Sequence, residues 1–593
     1  MRIATPDRLS WLLAGVHTPS WYRLCGCGLI AAGFFLAGLP AVAANVALRT
    51  SDAAGTSSFT GATNWNPTGI PVGTNTYFTG SYTIRTTNTT TTGLVYPFSG
   101  GALSIDAGGR LLGKMGNNLA NNTTAGTIAG NFVLNGGNFE QAGNNGDNAS
   151  LIVTGSVTVN VASGIGALGG TANGSATFEI LDFQAPISGS APLQVGGPTI
   201  NAGADSGVVR LSSANPYSGT ISVGSVSNNI IASAVTRMVQ LNHLDAVSNA
   251  TLNLVTTQAN PLSFAAGANL GSFNLGGLTG VANQVLTDTA GGPVGLRLGA
   301  NQSSCTYAGG LTGNGSLRKT GQGTLTLTGI STFTGSTLVE AGSLQLGDGG
   351  STGSLAGNST LTNNAQFIIK RNNSTVQGTH FSGRPIAGTG TFIQAGTGTT
   401  ILNAANTYSG PTLIYAGKLV LNTTQTGTGA ITVSNGAALG ISITGDNSLA
   451  PTVLTLGAGG AAVCEFDGVN SLSRAPVEVG VLSVGGHVTL NILAGIFAAS
   501  NSYPLIHWTT SGPVDVSAFT LGSAPGVTAS LAVNGATLYL QVASVATASK
   551  ADAPSISSQP TNPNDFALMR PGSAATIVYD SADASVVGIT AGL

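Results

Sequence analysis

Two acidic pairs are the residues best placed, by type and spacing, to do chemistry. Glu465 and Asp467 stand two apart in an alternating stretch, so a strand would turn both to one side. Glu179 and Asp182 form the second pair. Two carboxyls about 5–9.5 Å apart can cleave a glycosidic bond, and a polysaccharide lyase adds a calcium-carboxylate cluster and a basic residue. Neither pair has a cation close by in sequence; Arg474 is the nearest to the first. Both pairs therefore read as solvated turn carboxylates. Gly349-Gly350-Ser351-Thr352-Gly353 spells a nucleophile elbow, but that motif works only on a strand-to-helix turn and no helical pattern follows. Asn144-Asn145-Gly146-Asp147-Asn148 has the flavour of a calcium loop with one carboxylate, below the usual ligand demand. His243, His380, His487 and His507 are dispersed and lack zinc spacing. Trp65 could stack a sugar ring, yet a lid over an exposed end of the fold is the better reading. Cys305 and Cys464 are far apart along the chain and read as free thiols rather than a bridge. The expectation is no catalytic residue, no cofactor and no metal.

What must position these residues is a chain of 593 residues with 87 glycines and only 7% charged side chains. An average domain carries about 25% charge and about half this share of glycine. Low charge with many β-branched residues argues against disorder, and the glycine content argues against long helices. The formal net charge is −2 and no basic patch stands out, so nucleic acid is excluded as a partner. From Asn45 to Val545 short alternating runs are separated by Gly, Asn, Ser and Thr clusters, as in Thr324-Leu325-Thr326-Leu327-Thr328. Strands this short, separated by brief turns, cannot be parallel neighbours in an ordinary sheet, whose crossovers take about a dozen residues or more. They can form antiparallel sandwiches, or a β-helix in which each coil stacks on the last.

An internal repeat favours the β-helix. Residues 313–347 align without a gap on 388–422, at an offset of 75, with 14 of 35 positions identical, and a weaker copy begins at Gly207 and spans about 207–241. Repeats of this kind stack, each covering its neighbour's exposed face. On this reading Leu327/Leu402, Leu338/Leu413, Leu344/Leu419 and Leu346/Leu421 lie in common inward ladders, and Phe333, Tyr408 and Tyr217 share a corner. Coils of about 18–25 residues would make the offset three or four coils. At about 4.8 Å per coil the body would be a rod on the order of 100 Å long.

The first copy reads G-x-G-x-L-x-K-x-G-x-G-T-L-x-L-x-G, then an aromatic-x-G and an A-G-x-L-x-L end. Its carriers are Gly313, Gly315, Leu317, Lys319, Gly321, Gly323, Thr324, Leu325, Leu327, Gly329, Phe333, Gly335, Ala341, Gly342, Leu344 and Leu346. This pattern resembles the autotransporter-associated β-strand repeat, also called the passenger-associated transport repeat. The second copy departs from it, with Gln394 at the lysine position and Thr400 opposite Leu325. The resemblance implies a right-handed parallel β-helix, a place outside the cell or on its surface, and a repeat that helps the passenger cross the outer membrane and fold.

The termini complete the layout. Arg2, Arg8 and Arg23 precede an apolar run from Leu29 to Leu39, and Ala41-Val42-Ala43 is a small-residue cleavage pattern, so 1–44 reads as a signal peptide. No later run is apolar enough to span a membrane. Residues 546–593 read as a Ser/Pro/Asn linker followed by an incomplete module or a disordered tail. That short stretch after Val545 holds no membrane β-barrel pattern, so the expectation is export by another machine, or a truncated chain. The functional expectation is an exported, non-catalytic, adhesin-like solenoid, with export machinery and a cell-surface glycan or extracellular matrix as partners. A carbohydrate-active enzyme on the same fold is the alternative.

Overall fold

A computed structural model describes residues 43–546, apart from 88–91, 115–124, 142–149, 168, 173–174, 197–206, 225–238, 257–258, 268–270, 428 and 444–446. The Asn144–Asn148 loop, almost all of the expected signal peptide and the tail beyond 546 lie outside the described residues. Within them every regular element is a strand, and most strands are short.

The strands stack in parallel, coil on coil. One face climbs from Asn45–Leu48 through Thr76–Phe78, Ala102–Asp106 and Ala125–Asn135 to Ser150–Val161. It continues through Ile180–Phe183, Val208–Leu211 and Val239–Leu241 to Leu262–Phe264. A second face runs from Cys305–Tyr307 through Thr324–Leu327, Ser343–Leu346, Gln366–Ile369, Thr391–Gln394 and Thr412–Ile414 to Ile431–Ser434. A third climbs from Thr399–Leu402 through Lys418–Leu421, Ala438–Ile441 and Ala462–Phe466 to Val488–Ile492. The chain is a parallel β-solenoid, not a row of antiparallel sandwiches. One continuous apolar cluster runs inside it from Val46 to Val542. Alternation explains this: in Lys418–Leu421, Leu419 and Leu421 turn inward, while Lys418 and Val420 stay partly exposed.

Coil length varies more than the repeat suggests. Leu325 lies under Leu344, whereas Val46 lies under Tyr77 and Leu151 under Leu181, a distinctly longer path along the chain. The expectation of about 18–25 residues per coil fits the repeats and not the N-terminal coils, which take about 30 residues each.

The two repeat copies do not sit on a common ladder. Leu317 pairs with Thr337 and Phe392 with Thr412, while Leu325 pairs with Leu344 and Thr400 with Leu419. Each copy is thus one short coil stacked on its own second half. Between copies, however, Leu325 leads through Leu344 and Phe367 to Phe392, whose counterpart in the first copy is Leu317. The offset of 75 is three coils plus one face. Leu327 and Leu402 are both fully buried, but in different ladders. Leu338 and Leu413 turn outward, half-exposed, between the buried Thr337 and Val339 and between the buried Thr412 and Ile414. Phe333, Tyr408 and Tyr217 are all buried, but Phe333 stacks over Leu311, Tyr408 over Ile386 and Tyr217 over Ile187. The rotation of the copies sends Phe333 and Tyr408 to different faces.

Both ends of the stack are covered by antiparallel pairing. Trp65–Asn66 lies antiparallel on the first strand, Leu48 opposite Trp65. Trp65 is fully buried, its Nε1 donates to Ser58 O at 2.8 Å, and its ring meets Tyr77 edge-on at 4.8 Å. It is a lid and offers no face to a sugar. At the other end Ser502–Ser511 pairs antiparallel with Thr537–Val545, which pairs in turn with Val527–Asn534. The parallel body therefore stops before Val545 and ends in a hairpin cap, which shields its last ladder from edge-to-edge association.

Candidate functional site

The chemistry that the sequence concentrates in the repeats faces inward. Leu317 and Lys319 share one side of a strand, and both are buried, with Lys319 1% exposed. Its Nζ donates to the carbonyls of Thr320, Gly321 and Ala341 at 2.5, 2.9 and 3.1 Å. The ammonium thus locks the turn after its own strand to the same turn one coil on. Burial holds its pKa below the ordinary lysine value, with the Cys305 thiol acting weakly in the opposite sense.

In the second copy a neutral group holds the turn after its own strand, with no bond to the counterpart of Ala341 one coil on. Gln394 Nε2 donates to Gly396 O at 2.7 Å and Gly398 O at 3.2 Å. An amide also brings an acceptor, which would be stranded beside an apolar neighbour. Thr400 Oγ1 donates to Gln394 Oε1 at 2.6 Å and satisfies it. The two departures from the repeat pattern, Gln394 and Thr400, are one compensated change. A third anchor stands between the copies: Arg371, 4% exposed, donates through Nη1 to Gly353 O at 3.0 Å and through Nη2 to Ser351 O at 2.7 Å.

The acidic pairs are brought to cations that lie far away in sequence. Glu465 accepts from Lys418 Nζ at 2.8 Å, two coils below, reaching across Gly440. Asp467 accepts from Ser442 Oγ at 3.1 Å. Asp182, 5% exposed, accepts from Ser212 Oγ at 2.5 Å and faces Arg210 Nη1 at 3.8 Å. Glu179, three residues earlier, does not share its side of the chain. Ion pairs and hydroxyls from one or two coils away thus fasten Glu465, Asp467 and Asp182 to the solenoid.

The remaining candidates stay apart. Ser351 sits in a loop held by Arg371. His380 Nδ1 accepts from Val376 N at 3.0 Å and His243 Nδ1 from Asp245 N at 3.0 Å, both local turns. His487 pairs with Thr520 and His507 with Thr537. Among the described residues no three metal-ligating side chains come together. Cys464 is fully buried and Cys305 half-buried, both free, and burial pushes both thiols up. Mapping of iodoacetamide adducts by mass spectrometry should find Cys464 unmodified in the native protein and modified after unfolding.

With this geometry in view, comparison with known proteins gives two findings. The profile of the passenger-associated-transport-repeat family matches residues 317–346 and 392–421, the two self-stacked coils. The chain is also similar to the adhesin BmaC autotransporter of Brucella suis biovar 1, at 28% identity over 267 residues. That match covers 37% of this chain and 8% of the relative. The chain thus carries two passenger-associated transport repeats, resembles part of an autotransporter adhesin, and spans only a small fraction of that relative's length.

Proposed function

We propose that the chain is an exported, non-catalytic passenger that acts by adhesion, with its repeats serving export and folding. The observation that carries this reading is where its polar groups go. The acids and histidines bind the next coil or their own turn, while the outward positions carry hydroxyls and amides in register between coils. Ser156 Oγ donates to Asn131 at 2.9 Å, Thr158 meets Ser188 at 3.1 Å, and Asn422 donates to Asn403 at 2.8 Å. Such rows suit a glycan or a matrix surface, which is recognised by many weak polar contacts. The self-stacked repeats suit the second role. Each closes its contacts within about one coil, so it can form as soon as it emerges from the export machinery, with little loop-closure cost.

The test is direct. Purified protein is expected to bind cells or matrix in a plate assay and to leave a panel of surface polysaccharides at their original length. Depolymerisation that disappears in Glu465→Gln or Asp467→Asn would replace the adhesive reading with the enzymatic one.

A further inference from the structure

Several cations of this sparsely charged surface face a carboxylate: Arg110 meets Glu140, Arg210 meets Asp182, Arg318 meets Glu340, Lys418 meets Glu465 and Arg474 meets Glu478. A cleft of about 260 Å³ near the N-terminal end is different. Thr56, Ser57, Arg85, Thr86, Thr87 and Lys114 line it, with no acid among its lining residues.

The stacking of two coils builds it. Thr83–Arg85 lies in register on Arg110–Gly113, with Ile84 over Leu111 turned inward, so Arg85 and Lys114 both point outward. The coils are clamped there by Thr86 N donating to Leu112 O at 3.0 Å and Lys114 N donating to Thr86 Oγ1 at 2.8 Å. Arg85 is held from behind, its Nε donating to Asp52 O at 3.0 Å. The Asp52 carboxylate is occupied elsewhere, accepting from Ser58 N, Ser58 Oγ, Asn64 Nδ2 and Arg85 N. The ion pairs above include neither Arg85 nor Lys114, and Glu179, which attracts the Lys114 ammonium, does not line the cleft.

The electrostatics match the geometry. The Lys114 ammonium is held below the ordinary lysine pKa by burial first, then by Arg85 and Arg110, with Glu179 opposing. Two half-buried like charges repel across a space ringed by hydroxyls, and the Thr86 hydroxyl, which accepts from Lys114 N, keeps its own proton to donate. An anion in that space would relieve the repulsion and take charge-assisted hydrogen bonds from both cations.

We propose that this cleft binds an anionic substituent, a sulfate or carboxylate carried on a sugar, between the Arg85 guanidinium and the Lys114 ammonium. The choice of a sugar as carrier rests on the adhesive reading; the anion site rests on the cleft alone.

The experiment is calorimetric titration of the full chain with a heparin-derived tetrasaccharide, a galacturonate tetramer, neutral cellotetraose and sodium sulfate. At least one acidic oligosaccharide should bind saturably and cellotetraose should not. Lys114→Gln should weaken binding roughly ten-fold, and Arg297→Gln, at an exposed position of a strand elsewhere, should leave it unchanged. Arg85→Gln should weaken it similarly, but because Arg85 also ties down Asp52, Lys114→Gln is the deciding variant. Affinity should fall with added salt, and also as pH rises through the depressed Lys114 pKa, earlier than an ordinary lysine would require. No saturable binding of either acidic oligosaccharide, or a Lys114→Gln chain that binds like wild type, would overturn the site. Equal affinity for inorganic sulfate would overturn the sugar. A Lys114→Gln chain that loses the oligosaccharide yet still adheres to cells would support the cleft and place adhesion elsewhere. Oligosaccharide binding by a wild-type chain that adheres to nothing would support the cleft and sink the adhesive reading.

Discussion

Replacing Lys319 with Met should destabilise the central coils by about 2–4 kcal/mol, read as a lower urea midpoint at unchanged slope. Methionine keeps the apolar stem and removes the ammonium, so the carbonyls of Thr320, Gly321 and Ala341 lose their shared donor. Two terms oppose. Burying an unpaired ammonium costs several kcal/mol, and each charge-assisted hydrogen bond returns about 1.5–3 kcal/mol. With three such bonds the lysine is favourable on balance. Copy two supplies the control. Lys319→Gln alone strands an amide oxygen beside Leu325, whereas Lys319→Gln with Leu325→Thr rebuilds the Gln394–Thr400 arrangement. The double variant should recover at least about 1 kcal/mol of the single variant's loss, a coupling that additive effects cannot give. The pH dependence has a fixed sign. The folded pKa of Lys319 lies below its unfolded value, so in the alkaline range below 10.5 the unfolded chain holds more protons. Wild type should then gain stability relative to Lys319→Met as pH rises through that range. Above 10.0, the ordinary tyrosine value, the buried tyrosines lower the stability of both proteins alike and leave the difference between them unchanged. Burial pushes the Tyr408 phenol up to about 12, and Tyr217 and Tyr307 also upward, so the unfolded chain loses those protons first.

Gly342→Val should be the most damaging single change in the repeats, at about 3 kcal/mol or more. Gly342 holds φ +63°, and its counterpart Gly417 holds +62°, a region that β-branched residues all but avoid. A Cβ at Gly342 would also lie 2.4 Å from Gly321 O and 2.5 Å from Gly323 O, on the coil below. Those carbonyls are fixed backbone and cannot move aside. Gly342→Ala should cost less and Gly436→Ala less again, because Gly436 (φ +76°) has open space where its Cβ would be. That ordering, measured by thermal unfolding, separates conformational strain from coil-to-coil contact.

Much of the architecture was legible because it rests on short-range pattern. Alternation in Thr324–Leu327 and glycines at fixed spacing are enough to specify coils. The rotation of one repeat copy against the other was not legible. It depends on the coils between them, from Leu344 to Phe367 and from Phe367 to Phe392, which are longer than the coil from Leu325 to Leu344. No residue within either copy encodes those lengths. The outward turn of Leu338 and Leu413 departs from the expected inward ladders because hydrophobicity alone does not fix burial; the parity of Val339 and Ile414 carries the contrary signal. Lys319 could have been found by the same parity, being two positions from Leu317 on a strand. The partners of Glu465 and Asp182 could not, since Lys418 and Arg210 lie one or two coils away along the chain and meet them only once the coils stack.

Dipolar EPR on two doubly labelled chains tests the stacking most directly. Gln345, Ile368, Ile393 and Leu413 climb one face in register, so labels at 345 and 413 should sit about 15 Å apart, three coils at the strand spacing. Labels at 338 and 413, equivalent in sequence but on different faces, should lie clearly farther apart. A shorter distance for 338–413 than for 345–413 would mean that the copies share a ladder, and would contradict the rotated, self-stacked solenoid.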